Sequence, residues 1–253
     1  MTAIVSVHSF RGGTGKSNTT ANVAAVFAGR GLRVGVVDLD ILSPGIHVLF
    51  GVDQDGLDRH LDGFLWGRYP LRDAVREVTP PGVAGRIWLV PSSVAPHDIA
   101  RVMAEGYDVG LLGDGVRALA AELELDVLLL DTHPGLNEET LLSIAMSDAL
   151  AIVLRPDHQD YEGTHVTVSV ARKLGVPRTV LVVNKTPESF DPAEVAARVA
   201  AAYDTPVAAV VPHSEELMVL SSGGIFVLHH PDHPVAALYG QLADQLLGSA
   251  VRA

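Results

Sequence analysis

Seven short apolar runs, separated by segments of helical period, constrain the fold of this chain more than any other feature. The runs lie at residues 3–10, 32–40, 85–92, 125–135, 149–156, 179–187 and 206–214. Helical patterns lie between most of them, for example at 17–31, 115–123, 137–147, 161–174, 192–202 and 235–247. Continuous apolar strands joined by helices are typical of a parallel sheet that is covered on both faces. We therefore predict an α/β fold with a single doubly wound, mainly parallel sheet of about seven strands and helices on both faces.

The composition fits one domain of this kind over residues 1–253. The chain is 48% hydrophobic, and no repeat or Ser/Gly-rich linker divides it. No apolar run reaches the roughly 18 residues of a membrane span. The first strand pattern begins within three residues of Met1, so we expect no signal peptide and a cytoplasmic protein. The chain has no cysteine, which excludes disulfides, thiolate metal sites and iron–sulfur ligation.

The sequence "HSFRGGTGKSN" at residues 8–18 follows the first strand and precedes the first helix. It contains three glycines that let backbone N–H groups face one point: Gly12, Gly13 and Gly15. The helix N-terminus adds partial positive charge at that point. Lys16 would reach the β- and γ-phosphate oxygens, and the Ser17 hydroxyl would bind Mg²⁺. The segment therefore predicts a phosphate-binding loop, although Phe10 occupies the position where the standard loop begins with glycine.

Carboxylates follow two other strands at the edge of the sheet where ligands bind in this fold class. Asp38 and Asp40 end the second strand two residues apart, so both side chains point to the same face. Such a pair can hold the water shell of Mg²⁺ or orient an attacking water. Asp131 ends an apolar strand in the manner of a Walker-B carboxylate and would hold Mg²⁺ through water. We interpret the neighbouring His133 as a structural histidine, or as one that supports another residue of the site, rather than as a catalytic one.

The segment "VVNKTP" follows a further strand and bears on the choice of base. A guanine-reading motif has the form N-K-x-D, and Asn184 and Lys185 match its first two positions. Pro187 stands in place of the aspartate that would pair with guanine N1 and N2. The sequence therefore favours adenine, with Asn184 hydrogen-bonded to the base edge.

Taken together, these motifs resemble those of the MinD/ParA group of deviant Walker-A ATPases. They are R-G-G-T-G-K-S, D-x-D, apolar-D-x-x-P-G and V-N-K, in that order, and the resemblance covers nearly the whole chain. The family's loop is written K-G-G-x-x-K-[ST], and the residue before its first lysine is variable. This explains Phe10. Arg11 occupies the position of that "signature" lysine, which in the family crosses to the partner's nucleotide in a dimer.

The resemblance implies ATP and Mg²⁺ as cofactors and assigns a role to each matching residue. The nucleotide-binding residues are Gly12, Gly13, Thr14, Gly15, Lys16, Ser17, Asn18, Asn184 and Pro212. The catalytic residues are Lys16, Asp40 and Arg11. The metal-binding residues are Ser17, Asp38 and Asp131. Asp40 would orient the hydrolytic water, Asn18 would touch the α-phosphate, and Pro212 would lie beside the base.

The function that this resemblance implies is a slow, partner-stimulated ATPase. It would dimerise when it binds ATP and would position or regulate cellular cargo through a protein partner or adaptor. The alternative is a metabolic enzyme, an ATP-dependent ligase or kinase of the same P-loop group. The absence of cysteine argues against an iron–sulfur scaffold. Residues 97–123 are too short and too mixed for the client groove of an ATPase that targets tail-anchored proteins.

Other partners are disfavoured by charge. The net charge of −12 argues against DNA binding. A local basic cluster could still touch DNA; it comprises Arg172, Lys173, Arg178 and Lys185. The C-terminal helix carries only Arg252 as a basic residue, so we expect it to pack on the sheet rather than bind a membrane. We expect the sequence "HHPDH" at 229–233 to form a solvated loop rather than a metal site.

Overall fold

The computed structural model describes residues 1–53 and 58–248. Eight strands form one sheet: β1 (Ala3–His8), β2 (Arg33–Leu39), β3 (Arg76–Glu77), β4 (Arg86–Val90), β5 (Val127–Thr132), β6 (Ala149–Leu154), β7 (Arg178–Thr186) and β8 (Val207–Pro212). Their order is β3-β4-β2-β5-β1-β6-β7-β8, and every neighbouring pair is parallel except β3 and β4. All seven predicted strands are confirmed. The eighth, β3, is a two-residue edge strand, which is too short to show a period in the sequence.

Eleven α-helices are present in the described residues: α1 (Lys16–Gly29), α2 (Ile46–Leu49), α3 (Leu61–Leu65), α4 (Pro96–Glu105), α5 (Val109–Glu122), α6 (Glu138–Ala145), α7 (His158–Lys173), α8 (Pro192–Tyr203), α9 (Glu215–Leu220), α10 (Phe226–His229) and α11 (Pro234–Leu247). A 3₁₀ helix spans Leu71–Ala74. The six helical patterns named from the sequence correspond to α1, α5, α6, α7, α8 and α11. Most of the others are too short to carry a helical repeat.

The helices cover both faces of the sheet, as predicted. Val5 and Val7 of β1 pack on one face with α1 and α11, whereas Ile4 points to the opposite face. On that second face, α5 packs over β2 and β5, and α7 and α8 pack over β6 and β7. The strands are therefore buried on both sides, which is why they appear as continuous apolar runs in the sequence.

The C-terminal helix packs on the core as expected, since Leu242, Ala243 and Leu246 of α11 are buried against the face that α1 also covers. Arg252 lies outside the described residues. Within residues 1–53 and 58–248, no helix is long and apolar enough to cross a membrane.

The basic residues considered for DNA contact do not form one patch. Arg178 begins β7 and donates a hydrogen bond to the carbonyl of Leu246, whereas Lys185 lies near the other end of the same strand. At about 3.3 Å per residue, the two positions are about 23 Å apart. Arg172 donates to the carbonyl of Asp204 at the end of α8. The fold therefore disperses these charges.

Candidate functional site

The loop between β1 and α1 has the backbone of a phosphate-binding loop. Gly13 and Gly15 have φ angles of 77° and 95°, in the left-handed region that glycine adopts without a Cβ clash. A Cβ at Gly15 would lie 2.3 Å from the Asn184 Nδ2 atom, so this position also has no room for a side chain. Phe10, where the standard loop has glycine, packs instead against α7, where a Cβ on Gly163 would lie 2.1 Å from its ring. The missing glycine thus leaves the loop intact.

Lys16 and Asp131 form the centre of the site. The Lys16 Nζ atom lies 3.1 Å from Asp131 Oδ1. Ser17 donates a 2.6 Å hydrogen bond to Asp131 Oδ2, and Thr20 donates a 2.8 Å hydrogen bond to Oδ1. Lys16 and Asp131 are both buried, so an unpaired charge on either would be costly. The first two turns of α1 therefore satisfy the carboxylate at the end of β5.

Asp38 lies beside this pair and is completely buried. Burial and, after it, the nearby Asp131 carboxylate raise the pKa of Asp38 to about 8, while Lys16 opposes the rise. The Asp38 oxygens accept hydrogen bonds from the backbone N–H groups of Asp40 at 3.0 Å and Gly45 at 3.3 Å. Asp38 therefore also orders the loop that follows β2.

Asp40 lies between a lysine and a histidine. Its Oδ2 atom is 3.7 Å from Lys16 Nζ, and its Oδ1 atom is 2.7 Å from His133 Nδ1. These three residues line an open cleft of about 460 Å³ above the loop, together with Ser17 and Asn18. The cleft thus brings together a cation, an oriented carboxylate and the N-terminus of α1.

The donors in the cleft suit a magnesium-bound phosphate group. Ser17 lines the cleft, and Asp38 and Asp131 lie buried next to Lys16. They supply hydroxyl and carboxylate oxygens, which are the hard ligands that Mg²⁺ prefers. The loop backbone, the start of α1 and Lys16 supply the positive potential that an anion requires. The residues of the chain therefore fit Mg²⁺ together with a nucleotide phosphate.

Asn184 braces the loop from β7. Its Nδ2 atom donates a 2.7 Å hydrogen bond to the Thr14 carbonyl, and its Oδ1 atom accepts from the Lys185 N–H at 2.9 Å. Lys185 adopts a φ of 56° and donates from Nζ to the Gly13 carbonyl at 2.8 Å. The hydrogen bond to Thr14 uses one of the two Nδ2 hydrogens of Asn184 and leaves the other for a base. Base recognition by Asn184 stays a prediction.

Pro212 lies at the end of β8, where it pairs in register with Thr186. It is not among the described residues that line the cleft. Contact between Pro212 and a base also stays a prediction.

The comparisons with known proteins agree with this geometry. Residues 1–76 match the ParA family, described as NUBPL iron-transfer P-loop NTPase. An uncharacterized ATP-binding protein of Methanocaldococcus jannaschii is 26% identical over 254 residues, covering 100% of this chain and 90% of that protein. An iron-sulfur cluster carrier protein of Pyrococcus horikoshii is 25% identical over 260 residues, covering 96% of this chain and 85% of that protein.

Solved structures share the whole fold. The septum site-determining protein MinD of Pyrococcus horikoshii, complexed with Mg-ADP, superposes with a TM-score of 0.80 at 23% identity, covering 96% of this chain and 95% of that one. The chain has the MinD-like P-loop NTPase fold. The MinD of the MinC:MinD complex of Aquifex aeolicus is also similar, with a TM-score of 0.78 at 18% identity and coverage of 99% and 98%. A cobyrinic acid a,c-diamide synthase of Mycobacterium smegmatis, with ADP and magnesium, has a TM-score of 0.73 at 20% identity and coverage of 96% and 93%.

Arg11 is the position at which this chain departs from the MinD/ParA loop pattern that it resembles. It lies at the rim of the loop with its side chain 41% exposed. Its guanidinium faces two carboxylates of its own chain, Asp160 at 3.7 Å and Asp157 at 3.9 Å. Arg155 contacts the same two residues, with Nε 3.0 Å from Asp160 Oδ2. In this structure Arg11 is therefore held on the near side of the site, away from Lys16.

Sequence reasoning missed several residues of the candidate site. Thr20 follows Lys16 by one helical turn, so the i, i+4 spacing could have placed it on Asp131. The positions of Asp157 and Asp160 depend on how α7 packs, and no local pattern shows it. The contact of His133 with Asp40 in the cleft fits a histidine that supports another residue of the site, one of the two interpretations that the sequence left open.

Proposed function

We propose that residues 1–253 form a single ATPase domain that binds Mg²⁺ and ATP, hydrolyses ATP to ADP and phosphate, and dimerises when ATP is bound. The dimer would act as a switch that positions or regulates cellular cargo. The observation that carries the proposal is the meeting of Lys16, Ser17 and Asp131 at the start of α1, with Asp40 across the cleft. This arrangement supplies a phosphate-binding cation, metal-binding oxygens and a carboxylate for water in one place.

Each group has a role in this proposal. The loop N–H groups would cradle the phosphates, and Lys16 would turn from the carboxylates to the β- and γ-phosphate oxygens. Ser17 and Asp131 would hold Mg²⁺, with Asp38 beside them, and the ion would neutralise charge that develops on the transferred phosphoryl group. Asp40 would orient the attacking water. Because Asp40 acts on the water rather than on ATP, it would affect the rate more than binding.

Dimerisation explains the exposed position of Arg11 at the rim of the loop. In a face-to-face dimer, an outward guanidinium would reach the partner's phosphates and could fork onto two of their oxygens. The cis contacts to Asp157 and Asp160 would then have to be exchanged for contacts in trans. A protein partner would be expected to change the rate of a slow ATPase of this kind. A structure with the same fold is a complex of two different proteins, MinC and MinD.

Two of the comparisons point to functions other than a switch. Cluster ligation requires thiolates in most iron–sulfur sites, and the chain has no cysteine, so its similarity to iron-sulfur cluster carriers supports only the shared ATPase. The fold of a cobyrinic acid a,c-diamide synthase keeps an ATP-dependent metabolic enzyme as the alternative. The exposed Arg11 favours the switch, because a metabolic active site has no evident use for it.

Light scattering distinguishes the two proposals. The chain would be measured alone, with ADP and with a non-hydrolysable ATP analogue, and again with DNA or liposomes added. The switch predicts a mass close to twice the monomer only with the analogue. Asp40→Ala should retain ATP and the dimer but lose hydrolysis. An unchanged mass in all conditions, or a wild-type rate in Asp40→Ala, would contradict the switch.

A further inference from the structure

His133 is the one ring in the described cleft that contacts Asp40, the carboxylate assigned to the attacking water. Its Nδ1 atom lies 2.7 Å from Asp40 Oδ1, and its side chain is 27% exposed. An ionised carboxylate can only accept hydrogen bonds, so the Nδ1 atom must carry the proton and donate it. In the neutral ring, Nε2 is then the unprotonated nitrogen. The Asp40 contact therefore selects one tautomer of His133.

Asp40 has two neighbouring donors, Lys16 and His133, and nucleotide binding would affect the two contacts differently. Lys16 Nζ is 3.7 Å from Asp40 Oδ2 and 3.1 Å from Asp131. Under the proposed function, Lys16 would turn toward the phosphates when they enter the cleft, and Asp40 would lose that neighbour. His133 directly follows the last residue of β5 and precedes Pro134, and both His133 and Pro134 line the cleft. It is therefore the contact that can continue to hold Asp40 once ATP is bound.

We propose that His133 is a positioning residue for the hydrolytic step. By donating from Nδ1 to Oδ1, it holds the Asp40 carboxylate in one rotamer and leaves Oδ2 free for the attacking water. The inference rests on the proposed ATP hydrolysis and adds a residue that the loop motifs do not contain. His133 acts through Asp40 and not on the nucleotide, so it sets the rate of the chemical step and not the affinity for ATP.

Two substitutions separate this role from packing. His133→Ala removes the donor, whereas His133→Asn keeps an N–H donor at nearly the position of Nδ1. Misplacing a catalytic group by about 1 Å can cost about 100-fold in rate, so we expect His133→Ala to lower kcat by about 10- to 100-fold. KM for ATP and the calorimetric affinity for ADP should stay within about two-fold. His133→Asn should recover most of the lost kcat.

The double variant His133→Ala/Asp40→Ala tests whether the effect passes through Asp40. If it does, His133→Ala causes no further loss when Asp40 is already alanine. Additive losses would overturn the inference. Equal loss of kcat in the alanine and asparagine variants, or a rise in KM with kcat unchanged, would also overturn it.

The tautomer can be checked without turnover. In nitrogen-15 NMR of the nucleotide-free protein, His133 should show a protonated Nδ1, with its signal identified by its disappearance in His133→Asn. The preference should be lost in Asp40→Ala. A His133 with a protonated Nε2 and a bare Nδ1 in the wild type would overturn the inference. If the wild type does not hydrolyse ATP at all, the proposed function fails instead, and the tautomer measurement still reports on the contact.

Discussion

Asp38 and Asp131 are direct register partners on the neighbouring parallel strands β2 and β5. Partners in such a ladder lie about 4.8 Å apart, so the sheet sets two carboxylates side by side at its carboxyl edge. Both are buried, and Lys16 lies next to them from the adjacent helix. The pair concentrates negative charge in the site. Lys16 offsets this charge, and Mg²⁺ would offset it further when ATP is bound.

Lys16→Ala should abolish ATP binding at micromolar nucleotide. Lys16 is the buried cation that the loop directs at the phosphates, and loss of such a charge-assisted contact costs roughly 2–4 kcal/mol, or about 30- to 1000-fold in affinity. Isothermal titration calorimetry with ATP and Mg²⁺ measures it. Lys173→Ala, at an exposed position of α7, is the matched control and should bind normally. Unchanged affinity in Lys16→Ala would refute the assignment.

ATP should bind far better than GTP. Pro187 has no carboxylate for guanine N1 and N2, and Asn184 is fixed beside the loop by its bond to the Thr14 carbonyl. Competition of ATP, GTP, ADP and GDP against a fluorescent adenine nucleotide measures the preference. Pro187→Asp should narrow it, because the substitution restores the missing acceptor. If GTP displaced the fluorescent nucleotide from the wild-type protein as well as ATP or better, the predicted preference for adenine would be wrong.

Arg11→Ala should bind ATP within a few-fold of the wild type but should fail to dimerise or hydrolyse it. The Arg11 side chain lies at the rim of the loop, and Arg11 is not among the described residues that line the cleft around Lys16. Arg11→Lys should retain much of both activities, since it keeps the charge. Arg117→Ala, on the exposed face of α5, is the control. Light scattering with a non-hydrolysable analogue measures the dimer, and normal dimerisation of Arg11→Ala would show that Arg11 serves only its cis contacts.

His8 should make the nucleotide-free protein lose stability as the pH falls. Burial, and after it the Lys16 charge, lowers the pKa of His8 to about 3 in the folded state. Thr132 donates to the Val7 carbonyl, so His8 Nδ1 donates to the Thr132 hydroxyl, 2.7 Å away, and the ring is neutral. The unfolded chain binds this proton near pH 6.5, so the His8 contribution is complete above that pH and is lost as the pH falls below it.

The expected size of the His8 effect is about 2 kcal/mol between pH 7 and pH 5. Urea unfolding at both pH values measures it in the wild type and in His8→Asn, which keeps a donor near Thr132. The wild type should lose more stability than the variant by that amount. His97→Asn, at a largely exposed histidine, should behave as the wild type does. The same pH dependence in His8→Asn and the wild type would contradict the prediction.

The strands and long helices could be predicted because their signals are local. A buried parallel strand needs an uninterrupted apolar run, and a helix such as α8 shows its own period and its own cap, with Asp191 accepting from the N–H groups of Ala193 and Glu194. The edge strand β3 and the short helices α2, α3 and α10 were missed. Segments of two to five residues carry too few positions for a period, and their conformation depends on the neighbours that they pack against.

The sequence by itself determined the fold class, the phosphate-binding loop and the identity of the carboxylates, because each depends on residue types at fixed spacings along the chain. Tertiary structure alone decided how these groups meet. The register of β2 on β5 sets Asp38 beside Asp131, the packing of α7 gives Arg11 its two aspartates, and the exits of β2 and β5 bring His133 to Asp40. These contacts join residues 93 to 149 positions apart, and no local pattern encodes a distance across the sheet.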